Sequence, residues 1–273
     1  MGVVVRTLTG FTCEGATLGA TYDHGERSVG LLMVTGGTEL RVGAHGGMAR
    51  LAAAVAAAGF PVFRFDRRGV GDSDGVDPGF RGSGPDIAAA AAAFRALRPD
   101  LEGLVGFGLC DGATALALSH ASARVDALAL ANPWVVEAGG DLPPPAAVAH
   151  RYRQRLCSLQ GWRRLLTGDI DVAKALRGVR SLLRPRDAGL AAGVAAGLER
   201  GGVPLSVILA TGDATAIAFE REWNRPLFAK ARGRRSTRLV RVDSHSHSFA
   251  SGDDHRHLAA FCIDALERRA SAG

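Results

Sequence analysis

The feature that most constrains the fold is a regular alternation of short apolar runs and helix-forming segments through the first half of the chain. The apolar runs have the length of strands and are apolar on both faces (29–35, 61–65, 104–107 and 127–131). Strands of that kind, separated by helices, are typical of a parallel sheet with helices on both faces. The alternation therefore predicts an α/β fold.

A hairpin precedes this alternation, and two further strands follow it. Residues 6–13 and 16–22 predict the hairpin, with its turn at Glu14-Gly15, and residues 206–211 and 238–242 predict the later strands. Helices are predicted from apolar periodicity and end signals (47–58 ended by Gly59, 83–97 begun at Ser83, 113–122 and 253–269). Together these segments predict a mostly parallel eight-stranded sheet.

Residues 133–200 interrupt the pattern with prolines and an arginine-rich stretch that has no strand signal. They predict a helical, arginine-rich lid or cap insertion, and residues 1–132 and 201–273 form the core. Between residues 151 and 200, eleven basic residues face four acidic ones, a balance of +7, whereas the whole chain carries only +6. The excess positive charge thus belongs to this segment. Such a charge would suit an anionic substrate. The alternative is that these arginines only solvate the outer face of the lid.

The segment with the clearest chemical signal is residues 108–112, which are Gly-Leu-Cys-Asp-Gly between a predicted strand and a predicted helix. This is the G-x-nucleophile-x-G elbow with Cys110 as the nucleophile. A nucleophile in such a tight turn needs small residues two positions before and after it, so that strand and helix can approach. The alternative is that Cys110 is an unreactive buried cysteine, which is the usual fate of a free thiol.

A cysteine nucleophile needs a general base and an acid that orients the base. When the three follow in the order nucleophile, acid and histidine, each comes after a later strand. Asp213 follows the strand at 206–211, which makes it the candidate acid. Two candidate bases, His245 and His247, follow the strand at 238–242.

An oxyanion hole would combine the backbone N–H after the nucleophile with one from the loop after the third strand. These donors are predicted to be the N–H groups of Asp111 and Thr38. The Asp111 side chain is unexpected beside a thiolate, because its charge would raise the thiol pKa. We expect it to point away into a salt bridge or to have a separate role. Other residues of the loop after the third strand are either substrate-binding candidates or solvated loop residues (Gly37, Glu39, Arg41 and His45).

Composition argues against several other classes of protein. The four cysteines are widely spaced and form no C-x-x-C motif, which predicts a reduced cytoplasmic protein without metal or cofactor (Cys13, Cys110, Cys157 and Cys262). No uncharged apolar run reaches the roughly 18 residues that a membrane span needs. The basic segment contains only Tyr152 and Trp162 as aromatic platforms, which argues against nucleic-acid binding.

Several motifs resemble those of known families. Residues 65–75, Phe-Asp-Arg-Arg-Gly-Val-Gly-Asp-Ser-Asp-Gly, resemble the D-x-R-G-x-G-x-S-x-G segment of lipase- and aminopeptidase-like α/β hydrolases. His-Ser-Phe at 247–249 is similar to the His-Thr-Phe of many α/β hydrolases, which selects His247 and leaves His245 as the alternative base. One departure is Gly36-Gly37, where the superfamily usually has His-Gly.

More narrowly, the chain resembles the exosortase A system-associated hydrolase 1 family. This likeness rests on four short segments (35–41, 80–86, 110–111 and 131–134). The two resemblances imply an α/β-hydrolase fold and a bacterial hydrolase encoded beside exopolysaccharide and protein-sorting genes.

Three functions follow from these observations. The first is hydrolysis of an ester or thioester through a triad of Cys110, His247 and Asp213, on a small-molecule or carrier-bound acyl substrate. The second is an acyltransferase that uses the same acyl-enzyme. The third is a non-catalytic binding module in which Cys110 is inert.

Overall fold

The computed structural model describes residues 5–136 and 188–272, and these residues contain one mixed sheet. Its strands are β1 (Arg6–Cys13), β2 (Ala16–Asp23), β3 (Val29–Val34), β4 (Val62–Phe65), β5 (Gly103–Leu109), β6 (Ala127–Ala131), β7 (Leu205–Ala210) and β8 (Thr237–Val242). They lie in the order β1-β2-β4-β3-β5-β6-β7-β8. Only the β1–β2 and β2–β4 pairs are antiparallel. The prediction of a mostly parallel eight-stranded sheet is confirmed.

Helices cover both faces of this sheet. They are α1 (Gly47–Ala57), α2 (Gly79–Gly82), α3 (Gly84–Leu97), α4 (Asp111–Ser119), α5 (Ala188–Gly201), α6 (Ala214–Trp223), α7 (Ala229–Arg232) and α8 (Gly252–Ala270). Buried residues of α1 and α8 share one apolar cluster, and those of α3, α4 and α5 share the other. Along β3, Leu31 belongs to the first cluster and Leu32 to the second, because successive side chains of a strand point to opposite faces. This burial on both sides explains the continuous apolar runs in the sequence.

Several local predictions agree with the structure, and others need correction. The hairpin turns at Glu14 and Gly15, both with positive φ (47° and 82°). Helix α3 begins after Ser83 as predicted, but the Ser83 hydroxyl donates to the carbonyl of Phe80 and does not cap the helix. Helix α4 begins at Asp111, two residues earlier than predicted.

The predicted insertion at 133–200 is described only at its two ends. Helix α5 includes residues 188–200 and packs its apolar side into the same cluster as α4, through residues such as Leu190 and Val194. The remaining residues, 137–187, lie outside the described part of the chain, and so does most of the predicted lid. Among the residues that are described, no helix has the length and apolarity to span a bilayer.

The parallel strands place four chain segments at one edge of the sheet. Cys110 follows β5, Asp213 follows β7, and both the loop after β3 and the loop after β8 begin at the same edge. Ligand sites in open α/β sheets lie outside the carboxyl ends of the strands. This edge is therefore where a functional site is expected.

Candidate active site

Cys110 forms the tip of a sharp turn between β5 and α4. Its backbone has φ 58° and ψ −124°, a conformation that costs on the order of 1–3 kcal/mol for a residue with a side chain. Three backbone hydrogen bonds hold it there. Its N–H donates to the carbonyl of Ala131 (3.0 Å), and its carbonyl accepts from the N–H groups of Trp134 (3.1 Å) and Thr114 (3.3 Å). The Cys110 side chain is half-buried and borders the apolar cluster of α1 and α8.

Two glycines allow this turn. A Cβ atom on Gly108 would lie 2.6 Å from the backbone nitrogen of Ala113, and one on Gly112 would lie 2.5 Å from the carbonyl oxygen of Val34. No side chain fits at these distances, because the obstructing atoms belong to the backbone. The local structure thus meets the steric requirement that the elbow motif predicts.

Asp213 and His247 form the second part of the site. Asp213 is the N-cap of α6 and is 8% exposed. Its Oδ2 accepts hydrogen bonds from the N–H of Ala216 (3.0 Å) and from Nδ1 of His247 (3.1 Å). Cys110 lies close enough to His247 to be the second group, after Asp213, that raises the pKa of the imidazole. Since Nδ1 bonds to Asp213, Nε2 is the ring nitrogen left for a proton transfer.

The charge on His247 is strongly favoured by its partners. The hydrogen bond to Asp213, and then the interaction with Cys110, raise the pKa of His247 to about 10, and partial burial opposes this increase only in part. These partners favour the imidazolium form of His247. An imidazolium can stabilise a thiolate and can donate a proton to a leaving group.

His245, the alternative base, lies in a different position. Its side chain is exposed and packs against Gly212, where an added Cβ would lie 2.0 Å from its Nδ1. His247, and not His245, bonds to Asp213, and Cys110 is among the groups that raise the pKa of His247.

The loop after β3 lies directly beside the elbow. A Cβ on Gly36 would be 3.3 Å from the Cβ of Cys110. The N–H of Gly37 donates to Oδ1 of Asp111 (2.5 Å), and its carbonyl accepts a hydrogen bond from Arg67. Within the described residues, the N–H of Thr38 has no acceptor. Among the residues that the structure describes, Asp111 makes this contact with Gly37 and no ion pair, which favours the second of the two expectations, a separate role, over a salt bridge.

The other candidates in this loop make contacts with the protein itself. Arg41 forms ion pairs with Asp66 and with Asp72 (2.8 Å to the latter). The Glu39 carboxylate accepts from the N–H of Ala44 (2.5 Å). The side chain of His45 is exposed. These contacts favour a role in shaping the loop for Glu39 and Arg41, and substrate binding by any of the three stays a prediction.

Solved structures resemble the whole chain. An esterase from Pyrococcus furiosus has a TM-score of 0.64 at 14% identity, with 96% of this chain and 94% of that chain covered. A hydrolase from Pseudomonas aeruginosa has a TM-score of 0.56 at 24% identity, with 95% and 98% covered. An α/β serine hydrolase without lid from Xanthomonas campestris has a TM-score of 0.57 at 17% identity, with 96% and 94% covered. The chain has the α/β-hydrolase fold. No protein-family model matches it, and neither does any curated protein.

One residue that supports the site in this α/β-hydrolase fold was not predicted. Asn132 follows β6, is fully buried and has φ 42°, a conformation that Asn tolerates better than most residues. Its amide donates to the carbonyl of His247 (2.8 Å) and accepts from the N–H of Ala210 (3.0 Å). It thereby ties the His247 loop to the end of β7. The only signal in the sequence was that an Asn-Pro pair follows a buried strand. That signal does not specify the hydrogen-bond partners of Asn132.

We expect Asn132→Ala to lower the free energy of unfolding by about 2–3 kcal/mol, because it leaves the buried N–H of Ala210 without an acceptor. Urea unfolding followed by circular dichroism measures this change. Asn224→Ala is the matched control, since Asn224 is exposed at the end of α6. Equal midpoints for the two variants would contradict the assigned role of Asn132.

The described cysteines differ in their accessibility to reagents. Cys13 and Cys262 are buried, whereas Cys110 is half-buried. Burial, and then a hydrogen bond to Asp86, raise the pKa of Cys13 to about 11, and burial raises the pKa of Cys262 above its usual range. Thiolate is the reactive form, so both buried thiols should react slowly.

We therefore expect iodoacetamide at pH 8 to alkylate Cys110 at least about tenfold faster than Cys13 or Cys262. Peptide mapping by mass spectrometry after short exposures measures the three rates. The urea-denatured protein, in which all cysteines should react alike, is the control. Comparable rates in the folded protein would contradict the assignment of Cys110 as the available thiol.

Proposed function

We propose that the protein is a hydrolase that cleaves an ester or a thioester through an acyl-enzyme on Cys110. The main support is that Cys110, His247 and Asp213 come together at the carboxyl ends of the parallel strands, where His247 bonds to Asp213 and Cys110 helps to raise the pKa of His247. Similarity to esterases and other hydrolases of the same fold gives a second, weaker support. We propose Cys110 as nucleophile, His247 as proton carrier and Asp213 as the residue that orients His247.

In the first half of the reaction, the Cys110 thiolate attacks the substrate carbonyl carbon, and a C–S bond forms. The carbonyl oxygen becomes an oxyanion, for which the N–H groups of Asp111 and Thr38 are the proposed donors. When the tetrahedral intermediate collapses, the bond to the leaving group breaks. The His247 imidazolium donates its Nε2 proton to the departing alkoxide or thiolate.

In the second half, neutral His247 removes a proton from water, and the resulting hydroxide attacks the acyl carbon. Collapse of this intermediate releases the acid and regenerates the Cys110 thiolate beside the His247 imidazolium. Asp213 remains ionised throughout and holds Nδ1 of His247, as the acid of a triad does.

For the substrate, we propose a small-molecule or carrier-bound acyl group. The arginine-rich segment between residues 151 and 200 supports an anionic substrate, although most of that segment lies outside the described residues. The resemblance to the exosortase A system-associated hydrolase 1 family supports a bacterial enzyme connected with an exopolysaccharide or protein-sorting system.

Intact-protein mass spectrometry tests this proposal. The wild-type protein is exposed briefly to p-nitrophenyl acetate, p-nitrophenyl butyrate and the N-acetylcysteamine thioester of acetic acid, and then quenched in acid. We expect the wild-type protein to gain the mass of one acyl group, and Cys110→Ala to show no such gain. At steady state, the free acid should be released at the same rate as the leaving group. An adduct that persists in Cys110→Ala would overturn the assigned nucleophile. Transfer to an added amine or alcohol that outpaces acid release would replace hydrolysis with acyl transfer.

A further inference from the structure

We propose that the side chains of Asp111 and Arg67 are positioning residues that hold Gly37 between them and thereby aim the N–H of Thr38 at the oxyanion. This inference rests on the proposed function, because it concerns how the same site stabilises charge. Neither side chain touches the substrate in this proposal.

Asp111 and Arg67 bind the two backbone polar groups of Gly37, its N–H and its carbonyl. The Asp111 carboxylate accepts the N–H of Gly37 at 2.5 Å, and the Arg67 guanidinium donates to the carbonyl of Gly37. Gly37 has φ 55°, and an added Cβ would meet nothing within 4 Å, so the backbone conformation and not crowding is what favours glycine there. Without these contacts, Gly37 would be free to rotate at the exposed tip of the loop.

Fixing the carbonyl of Gly37 also fixes the N–H of Thr38. Both groups belong to one planar trans peptide, in which C=O and N–H point in opposite directions. Because Arg67 binds the carbonyl, the Thr38 N–H is directed away from Arg67. That N–H has no acceptor among the described residues and is available for a developing oxyanion.

Arg67 is suited to a fixed position. It is only 3% exposed, its Nη1 is buried and has no hydrogen-bond partner in the described residues, and its nearest carboxylate, Asp77, lies 3.9 Å away. A buried cation that is not fully paired is costly, which argues that the contact with Gly37 serves a purpose beyond stability.

Other contacts anchor the base of the loop, so the tip can be tested separately. The Thr35 hydroxyl donates to the carbonyl of Glu39 (3.0 Å), and the N–H of Glu39 donates to the carbonyl of Gly36 (3.1 Å). The N–H of Arg41 donates to Asp66 (2.5 Å). None of these bonds involves Asp111 or Arg67, and we expect the loop to stay in place when either residue is replaced.

The test compares four variants by steady-state kinetics on p-nitrophenyl acetate. Removing one oxyanion donor typically lowers kcat about 10²–10³-fold, and a misaligned donor should cost less. We therefore expect kcat to fall about 10- to 100-fold in Asp111→Ala and in Arg67→Ala. The KM of both variants should stay within about threefold of the wild-type value. Asp126→Ala is the control for the carboxylate, since Asp126 likewise accepts a backbone N–H, that of Leu104 (2.7 Å), near the start of β5. Arg95→Ala is the control for the guanidinium, since Arg95 donates to backbone carbonyls at 123 and 124. Both controls should keep kcat within about twofold.

Asp111→Asn separates positioning from charge. Asn can still accept the N–H of Gly37 through its amide oxygen, and we expect it to keep kcat within about threefold of wild type. If the negative charge itself were what mattered, Asp111→Asn would be as slow as Asp111→Ala. That result would overturn the positioning role.

Two further measurements do not depend on turnover. Hydrogen exchange of the peptide that covers residues 35–40 should be roughly tenfold faster in Asp111→Ala than in wild type, and unchanged in Asp126→Ala. The rate of Cys110 alkylation at its high-pH plateau should be unchanged in every variant, which shows that the elbow is intact. Unchanged kcat and unchanged exchange in Asp111→Ala would overturn the inference.

The proposed function and this inference fail in different ways. A wild-type protein that turns over no ester or thioester overturns the proposed function together with the catalytic role of the loop. A wild-type protein that is active only when Cys110 is present supports the proposed function, and the Asp111 and Arg67 variants then decide the inference alone.

Discussion

Replacing Cys110 with alanine should lower kcat/KM for p-nitrophenyl acetate by about 10⁴-fold or more, because it removes the atom that forms the acyl-enzyme. The fold should survive, since the loss of one half-buried sulfur leaves the backbone bonds of the elbow in place. Burst kinetics and steady-state rates measure the effect, and a thermal unfolding curve verifies the fold.

Cys110→Ser refines this prediction. Serine restores a nucleophile of similar size, but its hydroxyl is not ionised at neutral pH, and activity should fall between wild type and Cys110→Ala. The change also removes the second largest cause of the raised pKa of His247, which should therefore fall. Cys13→Ser is the control, because Ser can keep the contact that the Cys13 thiol makes with Asp86, far from the elbow along the chain. A fully active Cys110→Ala would overturn the assignment of Cys110 as nucleophile, whereas a wild-type protein without turnover would support the non-catalytic alternative.

The sheet could be predicted because its strands are buried on both faces. Such strands leave continuous apolar runs in the sequence, and β6 was predicted at its exact bounds, 127–131. Helix α6 was missed because its apolar residues are mixed with charged ones, and it buries Glu222 beside Trp223. A buried carboxylate makes the helix resemble a polar surface segment, and only tertiary contacts reveal its inward face.

The principal residues of the candidate site could be predicted from their place after successive strands. Cys110, Asp213 and His247 each follow a strand, and parallel strands bring such positions to one edge of the sheet. Their roles remain predictions, because geometry supplies contacts and not reactivity.

The supporting contacts could not be predicted from the sequence. The partners Gly37 and Asp111 are 74 positions apart, and Asn132 and His247 are 115 positions apart. A pattern in the sequence indicates which residues follow a strand, but not which loop from another strand lies beside them. For this reason the contact between the Asp111 side chain and Gly37 was not predicted, although the position of Asp111 at the elbow was.

Asp213→Asn should lower kcat/KM by about 10²–10⁴-fold and should also change the titration of His247. The hydrogen bond that His247 donates to Asp213 is the largest cause that raises the pKa of His247 to about 10. An uncharged amide cannot stabilise the imidazolium in the same way, and the pKa should fall towards the ordinary value near 6.5. The folded protein binds the proton of His247 more tightly than the unfolded chain does. The interaction of His247 with Asp213 therefore stabilises the fold fully below about pH 6.5, and this contribution is lost as the pH rises through about 10.

Nuclear magnetic resonance titration of the histidine ring protons measures the pKa, and His247→Gln assigns the signal. Asp254→Asn is the matched control, because Asp254 accepts the Ser244 hydroxyl (2.8 Å) and anchors the same loop without contacting His247. We expect Asp254→Asn to leave the pKa of His247 unchanged. We also expect the free energy of unfolding to decline between about pH 8 and 10 more steeply in the wild-type protein than in Asp213→Asn. A His247 signal that titrates near pH 6.5 in the wild-type protein would contradict the proposed imidazolium, and His247 would then have to take its proton from the Cys110 thiol before it could donate one to the leaving group.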